Sequence, residues 1–479
     1  EYLNIQSRNI DIDAPKPGIP PHPELLDAVI RDVTALRDVL EGRVDAAGFA
    51  DTVAYRGRSR WEQRFAHVPL PAAPEAEKAA IRRGGVYLIT GGFGGVAFEL
   101  ARYLVEGWGV RLVLVGRTPL PPREGWDAWL ESHPEDDAVS ERIAKVRALE
   151  AMGAECLVFA ADAADMDRML AVRDAVLERF GEINGVFHAA STVSSSMIQV
   201  QTDERAQAVI RTKVHGTLVL EKMLEATAPD FLMLFSSLCS YTAPLGFTDY
   251  AAACCFMDLH AQAMNGRLPY RIVSVGWGYW EGIGIGTVLL PKMMETVGED
   301  VAAHGILAAE GMECISRILA LPDAQVMVST SDYPALVEEL RRNAKNVLKN
   351  YAAFQAKAKV AKRPRLATPY RAPETDVERV IAAVWQEILG FDSVGVDDAF
   401  IELGGDSLHA IPMVSRLESI FHTKVPIRTL VTENTVGKLA AFLIATEKKP
   451  GQTARIAELF IKIKMMSADE IKAMLSRKG

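Results

Sequence analysis

The chain has 479 residues, room for about two to four domains at roughly 100–200 residues each. Hydrophobic residues make up 49% and charged residues 24%, the balance of a protein with a real core, and a formal net charge of -9 gives no sign of a nucleic-acid partner. No apolar run reaches about 18 residues, which argues against a membrane span. The five cysteines, an odd number without a CxxC pair or metal-ligand spacing, fit a reducing compartment and an expected cytoplasmic location.

The chain opens on EYLNIQSRNIDI, which reads as the inside of a strand. It starts without Met or a signal-peptide pattern, so the expectation is a piece of a longer polypeptide. Residues 1–80 then offer a Pro-rich turn at 15–23, a helical run over 23–40 and a short strand near 51–55. From 85 to about 333, apolar runs alternate with amphipathic helices: VYLIT, RLVLV, CLVFA, GVFHAA, FLMLFSS and IVSVGW. Strands written as continuous apolar runs between helices predict an α/β fold, a doubly wound parallel sheet covered on both faces. Residues 336–372 read as a linker ending in a basic, Ala- and Pro-containing stretch. Residues 373–446 read as a small helical bundle, and 447–479 as a polar tail with one or two amphipathic helices.

The first apolar run leads into Gly91, Gly92, Phe93, Gly94, Gly95, Val96 and Ala97. Glycines permit a tight turn and close approach of a pyrophosphate, and the helix that follows presents oriented N–H groups to it. Ala97 stands where the usual fingerprint has its last glycine. The second strand ends in Gly116, Arg117 and Thr118. An NAD site would place an acid there; a guanidinium suits a 2′-phosphate, so NADPH is the expected cofactor. Asp162 and Ala163 follow the third strand, with Asp162 set to accept from an adenine amino group. Ala189, Ala190 and Ser191 follow the fourth, small enough to let a nicotinamide ribose lie close. Ligands of such Rossmann-type sheets bind beyond the carboxyl ends of the strands, so these loops converge. Ser236 and Ser237 end the fifth strand, and Tyr250 opens the helical pattern thirteen residues after Ser237. Reduction of a carbonyl by hydride leaves an alkoxide that needs a proton. Tyr250 would donate it, Ser237 would hydrogen-bond the oxygen, and a lysine would lower the tyrosine pKa.

The set TGGFGGVA, GRT, DAAD, VFHAAS, RTKVHGT, FSSL, DYAAACCFMD and GWGYW resembles, in order and spacing, the ketoreductase domain of modular type I polyketide synthases. Those domains are members of the short-chain dehydrogenase/reductase superfamily. The resemblance runs over about 1–335, with 1–80 similar to the back end of the structural subdomain and 81–335 to the catalytic part. It implies that Lys213, placed upstream, is the catalytic lysine. It also implies an asparagine at the position of Cys254, so one carboxamide of the proton relay is missing here. The family's LDD marker corresponds to Val193, Ser194 and Ser195, and its alternative tryptophan marker to Thr242. Both markers are absent, which leans toward an L-configured hydroxyl.

The segment FIELGGDSL places Ser407 after a Gly-Gly turn at the start of a helix. The stretch ETDVERV through SLHAI resembles acyl and peptidyl carrier domains, which implies 4′-phosphopantetheine attached covalently to Ser407. Pro412 predicts a weak or kinked first turn in that helix. The combined reading is NADPH-dependent reduction of a tethered 3-oxoacyl thioester in a polyketide assembly line. Its implied partners are a phosphopantetheinyl transferase, ketosynthase and acyltransferase domains in cis or in trans, and a downstream synthase module docked on the tail. Two alternatives stand beside it. One is reduction of an α-keto acyl thioester in a peptide synthetase. The other is an inactive, structural reductase beside a working carrier.

Overall fold

A computed structural model of the chain describes residues 9–12, 28, 31, 52–56, 59–70, 80–193, 201–244, 246–287, 305–337, 361–364, 366, 368–405 and 407–465. The helix expected over 23–40, the front of the linker and the last fourteen positions of the tail lie outside or almost outside these residues. The chain divides into two compact units, Glu1–Pro69 and Leu70–Gly479.

The first unit holds three strands: β1 (Asn9–Ile12), β2 (Thr52–Arg56) and β3 (Ser59–Glu62). β2 lies in the middle, parallel to β1 and antiparallel to β3. Val53 and Tyr55 alternate inward along β2, the period of a half-buried strand. The sequence reading did not anticipate β3, whose four residues are all exposed.

The second unit begins with a seven-stranded sheet. In chain order its strands are β4 (Val86–Thr90), β5 (Arg111–Gly116), β6 (Cys156–Ala160), β7 (Gly185–His188), β8 (Phe231–Ser237), β9 (Arg271–Trp277) and β10 (Gln325–Val328). The spatial order is β10-β9-β8-β7-β4-β5-β6, and every neighbouring pair is parallel. Helices α1 (Gly95–Trp108), α2 (Trp126–Ser132), α3 (Ala138–Ala151), α4 (Met166–Phe180), α5 (Asp203–Ile210), α6 (Gly216–Leu224), α7 (Cys239–Thr242), α8 (Thr248–Met264) and α9 (Ala308–Ile318) make the crossovers.

Both faces of the sheet are covered. Tyr87 and Ile89 of β4 pack with Leu100 and Leu104 of α1, Ile143 of α3 and Ile315 of α9. Val86 and Leu88 pack with Met169 of α4, Leu220 of α6 and Met257 of α8. That two-sided burial is why the strands read as unbroken apolar runs. The chain reverses its direction of travel across the sheet between β4 and β7, which opens a crevice beyond their carboxyl ends.

The remaining helices form a bundle: α10 (Asp376–Leu389), α11 (Ser407–Phe421), α12 (Thr429–Thr432), α13 (Val436–Ala445) and α14 (Gln452–Met465). Trp385 is completely buried and packs edge-on to Phe400, with Leu417, Phe421 and Leu439 around them. Thr375 and Glu378 form a capping box at the start of α10. α11 runs through Pro412 as one helix. The described part of the tail packs back on the bundle, with Ala457 of α14 fully buried. Among the described residues, no helix is long and apolar enough to cross a membrane, and no cluster of His, Cys, Asp and Glu is arranged to hold a metal.

The described residues of the linker's end are built into the bundle. The Ala361 amide donates to Gly390 O at 2.8 Å, and Leu366 packs on the bundle core. Arg363 grips the buried carboxylate of Asp398 with two bonds of 2.7 Å, and the Gly395 amide adds a third at 2.8 Å. Burial would raise the Asp398 pKa, but these donors outweigh it and hold the carboxyl below its usual value. The boundary near 372 therefore does not mark where bundle contacts begin. Arg363→Ala would strand a buried anion and is expected to cost the bundle about 3–5 kcal/mol. Faster native-state hydrogen exchange along α10 in the full chain would show it; unchanged exchange would refute it.

Candidate active site

The crevice at the carboxyl edge is a cleft of about 580 Å³. Gly91 ends β4 with φ +66°, and a Cβ there would stand 2.7 Å from Ala190 Cα. Glycine therefore lets the end of β4 lie against the chain leaving β7. The Gly94 amide closes the turn onto Gly91 O at 2.8 Å, and Gly94 then caps α1 without any side-chain acceptor. The first-turn amides of α1 are thus free of a side-chain cap beside the cleft, as an anion-binding helix end requires. A Cβ on Gly95 would stand 2.8 Å from Gly284 N.

The cleft brings together nearly every residue singled out in the sequence. Gly91, Phe93, Gly94, Gly95, Val96, Arg117, Thr118, Asp162, Ala163, Ala189, Ala190, Ser191, Lys213, Ser237 and Tyr250 all line it. Gly92 does not. It turns inward under Leu114 and donates its amide to Val115 O at 3.2 Å, so it shapes the turn from behind. Arg117 is exposed and, among the described residues, makes no hydrogen bond or ion pair. Asp162 is already engaged: one oxygen accepts from the Ala164 amide at 2.9 Å and the other from Arg211 Nε at 3.2 Å.

Lys213 sits in a π-helical turn, Arg211–His215, between α5 and α6. Such turns are rare and re-aim a side chain inward. Lys213 is 1% exposed. Its Nζ donates to Phe235 O at 2.8 Å, lies 3.9 Å from Met257 Sδ and stands 5.3 Å from the centre of the Tyr250 ring. Beneath this turn, buried His188 links strand and helix. Its Nδ1 lies 2.7 Å from Thr90 Oγ1, which also accepts from the Ala190 amide at 3.3 Å. Burial, aided by the Lys213 charge, pushes the His188 pKa down to about 3, so the ring is neutral.

Tyr250 is part-exposed along the cleft, but its hydroxyl is enclosed. Enclosure pushes the phenol well above its usual pKa, with nearby Cys254 and Cys239 adding to the effect. The expected depression by a lysine does not dominate, because the ammonium faces the ring rather than the oxygen. Ser191 Oγ is near the Tyr250 hydroxyl without a well-formed hydrogen bond. Ser237 Oγ accepts from the Cys239 amide at 3.2 Å, which leaves its own proton to donate.

Cys254, one turn along α8 from Tyr250, is fully buried. Burial pushes its thiol up to about 11 against the pull of Lys213, so it holds its proton at neutral pH. Ser236 donates to Cys254 O at 3.2 Å. Asp258, a further turn along, accepts from Ser274 Oγ at 2.6 Å, and burial raises its pKa.

Further residues line the cleft. Thr242, the tryptophan-marker position, and Tyr279 of the GWGYW motif do so, as do Pro244 and, from the chain that leaves β10, Leu336. Tyr333 ties that chain down by donating to Leu238 O at 3.0 Å. Ala243, just after α7, has φ +38°, an uncommon backbone state for a residue with a Cβ. Arg142 of α3 lines it too, its guanidinium over the ring of Phe93, which packs against Gly116 beside Arg117. No motif marks Pro244, Leu336 or Arg142. Of the LDD-equivalent positions, Val193 is described and Ser194 and Ser195 are not.

Comparison with known proteins agrees with this geometry. The KR domain family matches residues 85–282, and the phosphopantetheine attachment site family matches 379–443. The chain is 30% identical over 393 residues to 5-methyl-1-naphthoate synthase of Streptomyces sahachiroi, covering 80% of this chain and 21% of that protein. It is 28% identical over 452 residues to polyketide synthase PksL of Bacillus subtilis (strain 168), covering 93% of this chain and 9% of that one. The chain thus spans about a fifth or less of these relatives. A crystal structure of a ketoreductase domain from the bacillaene assembly line shares the fold, with a TM-score of 0.51 at 24% identity, covering 67% of this chain and 68% of that one. Residues 85–282 thus match the KR domain family and residues 379–443 the phosphopantetheine attachment site family, and most of the chain is similar to short stretches of polyketide synthases.

Proposed function

We propose that the chain reduces a 3-oxoacyl thioester, held on a phosphopantetheine arm at Ser407, to the 3-hydroxyacyl thioester with NADPH. The observation that carries this reading is the meeting of Lys213, Ser237 and Tyr250 in the same cleft as the glycine turn. The cleft fits a dinucleotide. Gly91 and Gly95 leave no room for a Cβ, the first turn of α1 has no side-chain cap, and Arg117 is unpaired among the described residues.

A bound reduced nicotinamide supplies the hydride. The chain's own groups manage the oxygen. Ser237 donates a hydrogen bond to the carbonyl, and Tyr250 gives its proton as charge develops there. The raised pKa of Tyr250 keeps that proton in place until an alkoxide, a stronger base, draws it off. The buried Lys213 ammonium, 5.3 Å from the centre of the Tyr250 ring, supplies a positive charge near the phenolate left behind. Cys254 is a weak donor and acceptor, so the relay does not depend on it as on a carboxamide. In this reading a phosphopantetheinyl transferase arms Ser407, and ketosynthase and acyltransferase domains in cis or in trans supply the acyl group.

The test is oxidation of NADPH by the full chain with a 3-oxoacyl-N-acetylcysteamine thioester. Turnover with a 3-hydroxyacyl product is expected. Binding of NADPH without turnover would favour a reductase that is only structural. Absence of both would remove the enzyme reading altogether.

A further inference from the structure

We infer that Arg142 is a second guanidinium for the dinucleotide's 2′-phosphate, acting with Arg117 to select NADPH over NADH. This rests on the proposed reading of the cleft as an NADPH site. The two arginines come from different elements, Arg117 from the loop after β5 and Arg142 from the second turn of α3, and both line the cleft with Thr118.

Four observations carry the assignment. First, the start of α3 has few amides left for an anion. Asp137 already accepts from Val139 N at 3.0 Å and Ser140 N at 2.9 Å, and its carbonyl from Glu141 N at 2.9 Å, so an anion here depends chiefly on side chains. Second, among the described residues Arg142 makes no hydrogen bond or ion pair, and its Nη1 is enclosed without an acceptor although the side chain lines the cleft. An enclosed guanidinium donor without an acceptor is costly, so a small turn of the side chain toward a phosphate oxygen in the cleft would be favourable. Third, the two acids that line the cleft are already paired. Glu141 pairs with Lys145, and Asp162 pairs with Arg211. Neither is left to repel a dianion or to claim Arg142. Fourth, the guanidinium is held in place. It lies over the Phe93 ring at 5.8 Å from its centre, while Lys145 Nζ donates to Phe93 O at 2.9 Å. The glycine turn that would cradle the pyrophosphate is thereby tied to the helix that would hold the 2′-phosphate.

Equilibrium binding of NADPH and NADH to the full chain tests this. The wild-type chain is expected to bind NADPH at least about tenfold more tightly than NADH. Arg142→Gln should weaken NADPH about tenfold or more, the usual scale for a charged hydrogen bond. NADH affinity should stay within about twofold, which separates loss of the phosphate contact from damage to the Phe93 turn. Arg142→Lys should fall between, because a point charge replaces a planar fork. The double variant Arg117→Gln/Arg142→Gln should bind both cofactors alike. Unchanged NADPH affinity in Arg142→Gln would overturn the inference. Equal losses for both cofactors would overturn it too, since Arg142 would then be supporting Phe93 or stacking on the adenine. A wild-type chain that does not distinguish the cofactors would remove the NADPH reading itself, before any substitution is made.

Discussion

Replacing Tyr250 with Phe should lower kcat for the free 3-oxoacyl thioester by about 10²–10⁴-fold, the usual worth of a positioned general acid. The ring would remain over Lys213 and only the hydroxyl would go, so packing around α8 should survive. NADPH affinity should not move, because the glycine turn and the arginine end are untouched. The loss should appear in kcat and kcat/KM together, the pattern of an interaction made in the transition state. A pH profile adds a second reading. The folded pKa of Tyr250 is raised above its ordinary value near 10, so its acid form persists through neutral and mildly alkaline pH. The wild-type rate should therefore show no fall assignable to this group until pH passes above that ordinary value. A Tyr250→Phe chain with wild-type turnover would sink the proposed mechanism.

Ser407→Ala is expected to have an all-or-none effect. Treated with a phosphopantetheinyl transferase and coenzyme A, the wild-type chain should gain one phosphopantetheine in its intact mass and the variant none. The reason is local. Ser407 is the first residue of the fifteen-residue helix α11, where the helix dipole favours a phosphodiester. Reduction of a tethered acyl group should vanish in the variant, while reduction of a free thioester surrogate should continue. The arm raises local substrate concentration to roughly millimolar levels, so a weakly binding cleft loses most when the tether goes. Modification of the Ser407→Ala chain at another residue would overturn the assignment.

Much of this architecture is legible in the sequence, and the failures have physical causes. The five inner strands of the sheet were readable because both faces are buried, which leaves an unbroken apolar run, and the outer strand β6 was readable from its apolar CLVFA although it is only partly buried. The seventh, β10, was not, since none of its four residues is fully buried and QVMV carries no strong pattern. The glycine turn and Arg117 follow from their places after the first two strands, while the role given to Tyr250 rests on the family resemblance. So does that of Lys213, because a π-turn is a backbone event that RTKVH does not announce. Arg363 and Arg371 gave 361–372 the look of a solvated linker. In the fold they meet Asp398 and Asp397, partners some 26 to 35 positions away. Arg142 escaped because its role depends on a cleft that several loops make together.

The order of strands in the sheet also has a consequence for synthesis. β4, made first, is central, and β10, made last, forms the outer edge beside β9. Growth from the ribosome therefore adds β5 and β6 on one flank of β4 before β7, β8 and β9 build the other. Until β10 arrives, β9 presents an unpaired edge, the kind of surface that invites wrong partners. Leu336, which lines the cleft, and Tyr333, which ties its segment to Leu238, come only a few residues later. The nascent domain thus finishes its cleft soon after β10 takes over the edge from β9.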